Sequence, residues 1–226
     1  MPCRCIRPSA AILPVLMCLS GSVASASVVD WANWTTGTDN FPSSGTVGVL
    51  PVTNQSIYYS GSAIFRQTGA GTDYWSPTTP YLSAQVSNAP PAAYSVGVVD
   101  FASSHSVGLA VPASGLVMAL AGLGSATTAT EWVFDTPFTI LSSGPGYFGG
   151  AGTLTQLPGN VLRGNEGSGV ILFSGTVNVV SWTIVNGEQP WTQNASATVM
   201  TIGVIPTPGA AAVLGLGGLL AARRRR

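Results

Sequence analysis

The sequence predicts an all-β protein, an antiparallel β-sandwich or jelly-roll-like single domain. Three observations predict it. No helical hydrophobic period of useful length runs through residues 27–203, turn signals recur along that stretch, and short runs rich in β-branched and aromatic residues lie between the turns. The turns are Pro42-Ser43-Ser44-Gly45, Thr68-Gly69-Ala70-Gly71, Asn88-Ala89-Pro90-Pro91, Ser142-Ser143-Gly144-Pro145-Gly146, Pro158-Gly159-Asn160 and Asn186-Gly187. Glycine and asparagine admit positive φ there, and proline fixes φ near that of a turn.

The strands follow in order. Thr46 to Val52 alternates Val47, Val49 and Pro51 against Thr46, Gly48 and Leu50. Ser56 to Phe65 carries Ile57, Tyr58, Tyr59, Ile64 and Phe65, and Ser106 to Val111 sets Val107, Leu109 and Val111 on one face. Gly115 to Leu123 is apolar throughout, which fits a strand buried on both faces or a short helix. Glu131 to Leu141 reads as one run with Val133, Phe138, Ile140 and Leu141 available to a core. Gly169 to Gly175 follows, then Thr176 to Val185, where Asn178, Val180, Trp182 and Ile184 alternate with Val177, Val179, Ser181 and Thr183. Ala195 to Val204 supplies a last strand.

Charge is scarce, at 7% of 226 residues against about 25% in an ordinary domain. Thirteen Trp and Phe with six Tyr still mark a folded chain and not a disordered one. There is no lysine, and six of the eight arginines stand at the two ends. Between residues 27 and 205 only Arg66 and Arg163 face all eight acids, so that stretch carries −6. An acidic surface excludes nucleic acid as a partner, because phosphate binding needs a basic one. Cys3, Cys5 and Cys18 all precede residue 19, so the body has no disulfide, thiolate metal site or cysteine nucleophile.

The ends are the most specific parts of the chain. Arg4 and Arg7, the apolar run Ala10 to Leu19, and Ala24-Ser25-Ala26 form the charged, apolar and small-residue regions of a signal peptide. Signal peptidase is expected to cut between Ala26 and Ser27, since small residues at Ala24 and Ala26 fit its pockets. At the other end Pro206-Thr207-Pro208-Gly209 precedes a short Ala/Leu/Gly span to Ala222 and then Arg223, Arg224, Arg225 and Arg226. The span predicts a short membrane helix, with the arginine cluster as a cytoplasmic membrane stop.

This tail resembles the PEP-CTERM sorting signal in its planctomycete-like Pro-Thr-Pro-Gly variant, with Thr207 where the family usually carries Glu. The resemblance covers residues 204–226. It implies an exosortase-like sorting enzyme as partner, transient anchoring of an exported protein in the membrane, and an association with extracellular polysaccharide. Asp30-Trp31, Trp34-Thr35, Tyr58 to Gly61, Tyr74-Trp75, Pro137 to Gly149, Leu162 to Gly169 and Ser181-Trp182-Thr183 also make most of residues 28–185 resemble an extracellular domain found ahead of such tails. That domain implies a location and no chemistry.

Residues able to carry chemistry are few. His105, the body's one histidine, lies among Ser103, Ser104 and Ser106 without a Gly-x-Ser-x-Gly elbow, and reads as a loop residue. With no cysteine beside it, a zinc site is excluded. Glu131, Asp135, Glu166 and Glu188 could pair as glycosidase carboxylates, but they are dispersed. The loop Arg163-Gly164-Asn165-Glu166-Gly167 offers oxygens to Ca²⁺ yet lacks the Asp-x-Asp-x-Asp spacing. No catalytic residue, metal or cofactor is therefore assigned. Trp31, Trp34, Tyr74, Trp75, Tyr147, Phe148 and Trp191 fall beside turns, where rings either form stacking platforms for sugars or cap the sandwich core. Trp182, inside an alternating strand, reads as core. The expectation is a non-enzymatic cell-surface or extracellular-matrix protein. A carbohydrate-binding module using loop aromatics is the alternative, and an exported glycoside hydrolase a remote one.

Overall fold

The computed structural model describes residues 26–38, 44–150, 152–187 and 197–206. The described chain forms fifteen strands: β1 (Asp30–Trp31), β2 (Asn33–Thr38), β3 (Ser44–Leu50), β4 (Gln55–Gly61), β5 (Ala63–Thr68), β6 (Tyr94–Val99), β7 (Ser103–Ser114), β8 (Leu116–Leu123), β9 (Thr130–Phe134), β10 (Phe138–Gly144), β11 (Thr153–Leu157), β12 (Val161–Asn165), β13 (Gly167–Phe173), β14 (Thr176–Val185) and β15 (Ala197–Val204). They build two antiparallel sheets in a sandwich-like arrangement. One runs β10-β13-β8-β15-β6-β5 with β1 also on β15, and the other runs β11-β12-β9-β14-β7-β4-β3-β2. Among the described residues no helix is long and apolar enough to cross a membrane. The expected signal helix and tail helix lie outside the described residues.

The main core fills the space between the sheets. Leu116, Met118, Leu120, Met200 and Ile202 from one sheet meet Trp34, Tyr59, Val107, Trp132 and Trp182 from the other. A second core covers the outer face of the smaller sheet: Val117, Ala119, Ala121, Val170 and Val199 lie beneath Val29, Trp31, Trp75, Tyr81 and Val86. Every residue of β8 is consequently buried, which decides between strand and helix for that apolar run. A helix could not send Leu116, Met118 and Leu120 one way and Val117, Ala119 and Ala121 the other; the period-2 alternation of a strand does so directly.

The cover is an irregular segment, residues 69–93, holding a single 3-10 turn at Thr79–Tyr81. Side chains stand in for strand partners along it. Asn88 accepts from the Val29 amide at 2.6 Å, donates to the Val29 carbonyl at 3.0 Å and offers its own carbonyl to the Trp31 indole N–H at 3.1 Å. Gln67 of β5 holds the start of the segment, accepting from the Thr72 amide at 2.7 Å and donating to the Thr72 carbonyl at 2.9 Å.

Several sequence expectations change. Ser56 to Phe65 is two strands, β4 and β5, in different sheets, the chain passing from one layer to the other at Ser62. Glu131 to Leu141 is two strands in different sheets, because Asp135-Thr136-Pro137 carries the chain from one layer to the other. The alternation in β14 breaks at a register shift between Val177 and Val179, opposite which β7 advances from Ala113 to Gly108. Val177 and Val180 both face inward as a result, while Val179 and Val111 are turned to solvent. In β3 the inward set is Thr46, Gly48 and Leu50.

Asp30 ties the first strand to the turn after β3. Its buried carboxylate accepts from the Val52 amide at 3.0 Å, the Thr53 amide at 2.9 Å and the Thr53 hydroxyl at 3.0 Å. Hydrogen bonds to a charged acceptor are worth about 1.5–3 kcal/mol, and the donors left behind are penalised. Asp30→Ala is expected to lower unfolding stability by roughly 3 kcal/mol, and Asp30→Asn by less. Urea midpoints at unchanged slope check this; an Asp30→Ala midpoint equal to that of the parent chain would show that the turn holds without it.

Candidate functional site

A cavity of about 320 Å³ opens on the outer face of the smaller sheet, where the 69–93 cover stops. Ile64 and Phe65 of β5 form one wall, and Ala197 and Val199 of β15 the floor. Gly122, Gly124 and Ser125 close it at the end of β8, Tyr74 and Phe148 reach in from loops, and Glu166 lines it from the β12–β13 turn.

The rings form one packed group. Tyr74 stacks between Phe65, with centroids 5.4 Å apart, and Phe148, 6.0 Å apart. Tyr147 meets Tyr74 edge-on at 5.0 Å and Phe148 edge-on at 5.1 Å. Backbone makes room for them: a Cβ at Gly122, whose φ is +72°, would lie 2.4 Å from Phe148 Cδ2, and one at Gly97 would lie 2.3 Å from Phe65. Phe148 and Tyr147 remain 44% and 46% exposed, so their outer surfaces are open to a ligand. Glu166 is half-buried with φ +54°, and its carboxylate lies against Gly150. The wall is therefore aromatic with one carboxylate set into it. Such a site can stack on an apolar face and accept hydrogen bonds.

The structure brings together Tyr74, Tyr147 and Phe148 from the sequence-derived aromatics. It corrects the expectation for Trp31, Trp34 and Trp75. These are 3%, 0% and 1% exposed, too enclosed to stack on a ligand. Trp31 and Trp34 lie within β1 and β2 and not beside turns. The Trp34 indole N–H donates across the core to the Thr201 hydroxyl at 3.2 Å, and Trp75 packs edge-on against Tyr81 at 5.2 Å beneath the cover. Trp191 and Glu188 lie outside the described residues. Phe65 and the floor residues had no signal of their own, since they read as ordinary strand positions and meet Tyr74 only through the sheet order.

Several other expected sites sort themselves. Ser27 is bridged to the cover, its amide donating to the Gln85 carbonyl at 3.0 Å. Ala26 is the residue before it, and Ala24 lies outside the described residues. After β15 the Ile205 amide donates to the Gly115 carbonyl at 2.9 Å and Pro206 follows, half-buried. Thr207, Pro208, Gly209 and Arg223 to Arg226 lie outside the described residues. Glu131 is engaged by Asn186 at 2.8 Å and by Arg163 at 3.7 Å, and Asp135 accepts from the Ser181 amide at 3.0 Å. Among the described residues no three His, Cys, Asp or Glu gather as a metal site would need.

His105 is a correction too: it is buried within β7, not on a loop. Its ring stacks on Trp182 at 5.3 Å, with the Tyr59 hydroxyl 2.9 Å from Nδ1 and Ser103 Oγ 2.7 Å from Nε2. Ser103 donates its proton to the Phe101 carbonyl at 2.7 Å. With Ser103 donating to Phe101, Nε2 donates to Ser103, and the single Tyr59 proton is shared between Nδ1 and the Ser62 carbonyl 3.1 Å away. The imidazole lone pair then faces a phenol, and the serine meets a donor instead of a base. The position that an acid holds in a triad is filled by Tyr59, whose own pKa burial raises.

Comparison of the chain with protein-family models, with curated proteins and with solved structures gives no match.

Burial lowers the His105 pKa from 6.5 to about 4. The unfolded chain therefore takes up this proton first as pH falls, and linkage makes protonation favour unfolding. The His105 contribution is expected to lower stability between about pH 6.5 and 4, by a total on the order of 3 kcal/mol. Urea midpoints measured across this window check it. His105→Gln should flatten the dependence, and a variant with the same slope would assign it to other groups.

Proposed function

We propose that this chain is an exported, non-enzymatic cell-surface or extracellular-matrix protein, sorted through a PEP-CTERM/exosortase-type tail and associated with extracellular polysaccharide. The observation that carries the reading is the way the folded body fits between its two flanks. Ser27, the first residue left by a cut after Ala26, already bridges to the cover through Gln85. At the other end the Gly115 contact of Ile205 closes the fold one residue before the Pro206 motif. A body trimmed on both sides would keep every strand of the described residues.

The flanks also share one end of the body. Asp30 pairs with Val204 and Trp31 with Gly203, antiparallel, so the chain enters beside the place where it leaves. The cavity is lined from the opposite end of β15, by Ala197 and Val199. At about 3.4 Å per residue, Val199 is roughly 17 Å along the strand from Val204. A tail held in the membrane would therefore present the cavity on the far side, toward the extracellular matrix.

Intact-mass analysis of the native protein is the test. A chain beginning at Ser27 and ending between Pro206 and Gly209, recovered from envelope or medium, is the expected result. A mass retaining Arg223 to Arg226 in the membrane fraction would make the tail a plain anchor and remove the main support for a polysaccharide partner.

A second reading, carbohydrate binding by the body itself, is favoured by the grouping of Phe65, Tyr74, Tyr147 and Phe148 at one opening. Ring–sugar stacking by a rim aromatic is expected to contribute about ten-fold in affinity, comparable to other aromatic contacts of 0.5–1.5 kcal/mol. Phe148→Ala should reduce saturable glycan binding by about that factor in calorimetric titration. Unchanged binding would move the contact elsewhere on the body.

A further inference from the structure

The geometry points to the ligand class of this cavity: an organic cation, an ammonium group carried on a sugar-sized body, with Glu166 as its counter-ion. The inference rests on the carbohydrate-binding reading of the same cavity and adds charge selectivity to it. Three observations carry it. Glu166 is the one charged residue among those that line the cavity. No described residue makes a hydrogen bond or ion pair to its carboxylate, whereas Glu131 and Asp135 are both engaged. Phe65, Tyr74 and Phe148 line the same cavity beside Ile64 and Ser125, and the part of the Phe148 ring left exposed by its stack on Tyr74 can take a cation on its π surface.

Neither arginine of the body supplies the missing partner. Arg163 is directed to Glu131 at 3.7 Å. Arg66 follows Phe65 on β5 and extends the other way, so that a Cβ at Gly37 of β2 would meet its Cδ at 2.4 Å. A half-buried carboxylate beside aromatic rings, in a body of net charge −6, is matched by an ammonium donor. A uronate or phosphate would meet repulsion from the carboxylate. A neutral sugar could stack on Phe148 but would offer Glu166 only a hydroxyl. The cavity volume of about 320 Å³ suits one sugar-sized unit, at the lower edge of small-molecule sites.

The test uses the full chain in a polyoxyethylene detergent, which carries neither sugar nor ammonium groups, and calorimetric titration with three probes. These are a glucosamine trimer, its fully N-acetylated counterpart and tetramethylammonium. The glucosamine trimer is expected to bind at least about ten-fold more tightly than the acetylated one. Glu166→Gln should abolish that preference while leaving the acetylated trimer within about two-fold, with an unchanged circular dichroism spectrum confirming the fold. Equal binding of the two trimers by the parent chain overturns the cation inference and leaves the glycan reading standing. Binding of tetramethylammonium alone, weakened by Glu166→Gln, supports the cation site and removes the glycan reading. Absence of binding by all three probes overturns both.

Discussion

A strand with apolar residues on both faces constrains everything built around it. β8 reads Leu-Val-Met-Ala-Leu-Ala-Gly-Leu, and no residue of it reaches water. β15 beside it is nearly as enclosed. The second sheet covers one face; the other needs a cover that the sandwich alone does not provide. Burial at about 25 cal/mol per Å² makes leaving that face open a large loss. The 69–93 segment and the entering strand meet the need with Trp31, Trp75, Tyr81 and Val86. The sheet face beneath them is built from small residues, Ala119 and Ala121 among them, so bulky indoles and a phenol can approach. At Gly203 only glycine fits: a Cβ there would lie 2.5 Å from Val29 and 2.6 Å from Trp31.

The cavity is a consequence of how that cover ends. An irregular segment cannot satisfy its backbone by a ladder, and Asn88 and Gln67 serve in place of strand partners. Where Gln67 pins the segment beside Thr72, the sheet beyond is left to the loop carrying Tyr147 and Phe148. Three separate segments thus supply rings to one opening: Phe65 from β5, Tyr74 from the cover, and Phe148 from the loop after β10. Their mutual stacking fixes them without a hydrogen-bond network. The opening is pre-formed by packing, which keeps the ordering cost of binding low.

How much of this was legible in the sequence depended on range. The antiparallel class and the turn at Pro158-Gly159-Asn160 followed from local pattern, although the two strands that turn joins, β11 and β12, are not among the runs the sequence marks, and Gly115 to Leu123 read equally as strand or helix. Register did not, because the shift between Val177 and Val179 changes which side of β14 faces inward, and nothing local in Thr176 to Val185 marks it. The fate of the aromatics was equally hidden. Trp75 and Tyr74 are adjacent in sequence, yet one seals the second core and the other lines the cavity. That difference is set by the sheet order, not by the turn they share. His105 misled for a related reason: its serine neighbours suggest a loop, whereas Trp182 and Tyr59 arrive from β14 and β4 to enclose it.

The charge distribution decides what the body can associate with once its arginine-rich ends are set aside. A net charge of −6 on the stretch between them, without a lysine, gives a surface field that disfavours polyanions. That field is screened over about 8 Å at physiological salt, so it acts at contact and not at a distance. An acidic polysaccharide could then be held only through its neutral or cationic groups or through bridging cations. Selectivity of this kind needs a place where stacking and a carboxylate coincide. Glu166 beside Phe148 and Tyr74 is such a place, and it lies away from the end where the two flanks leave the fold.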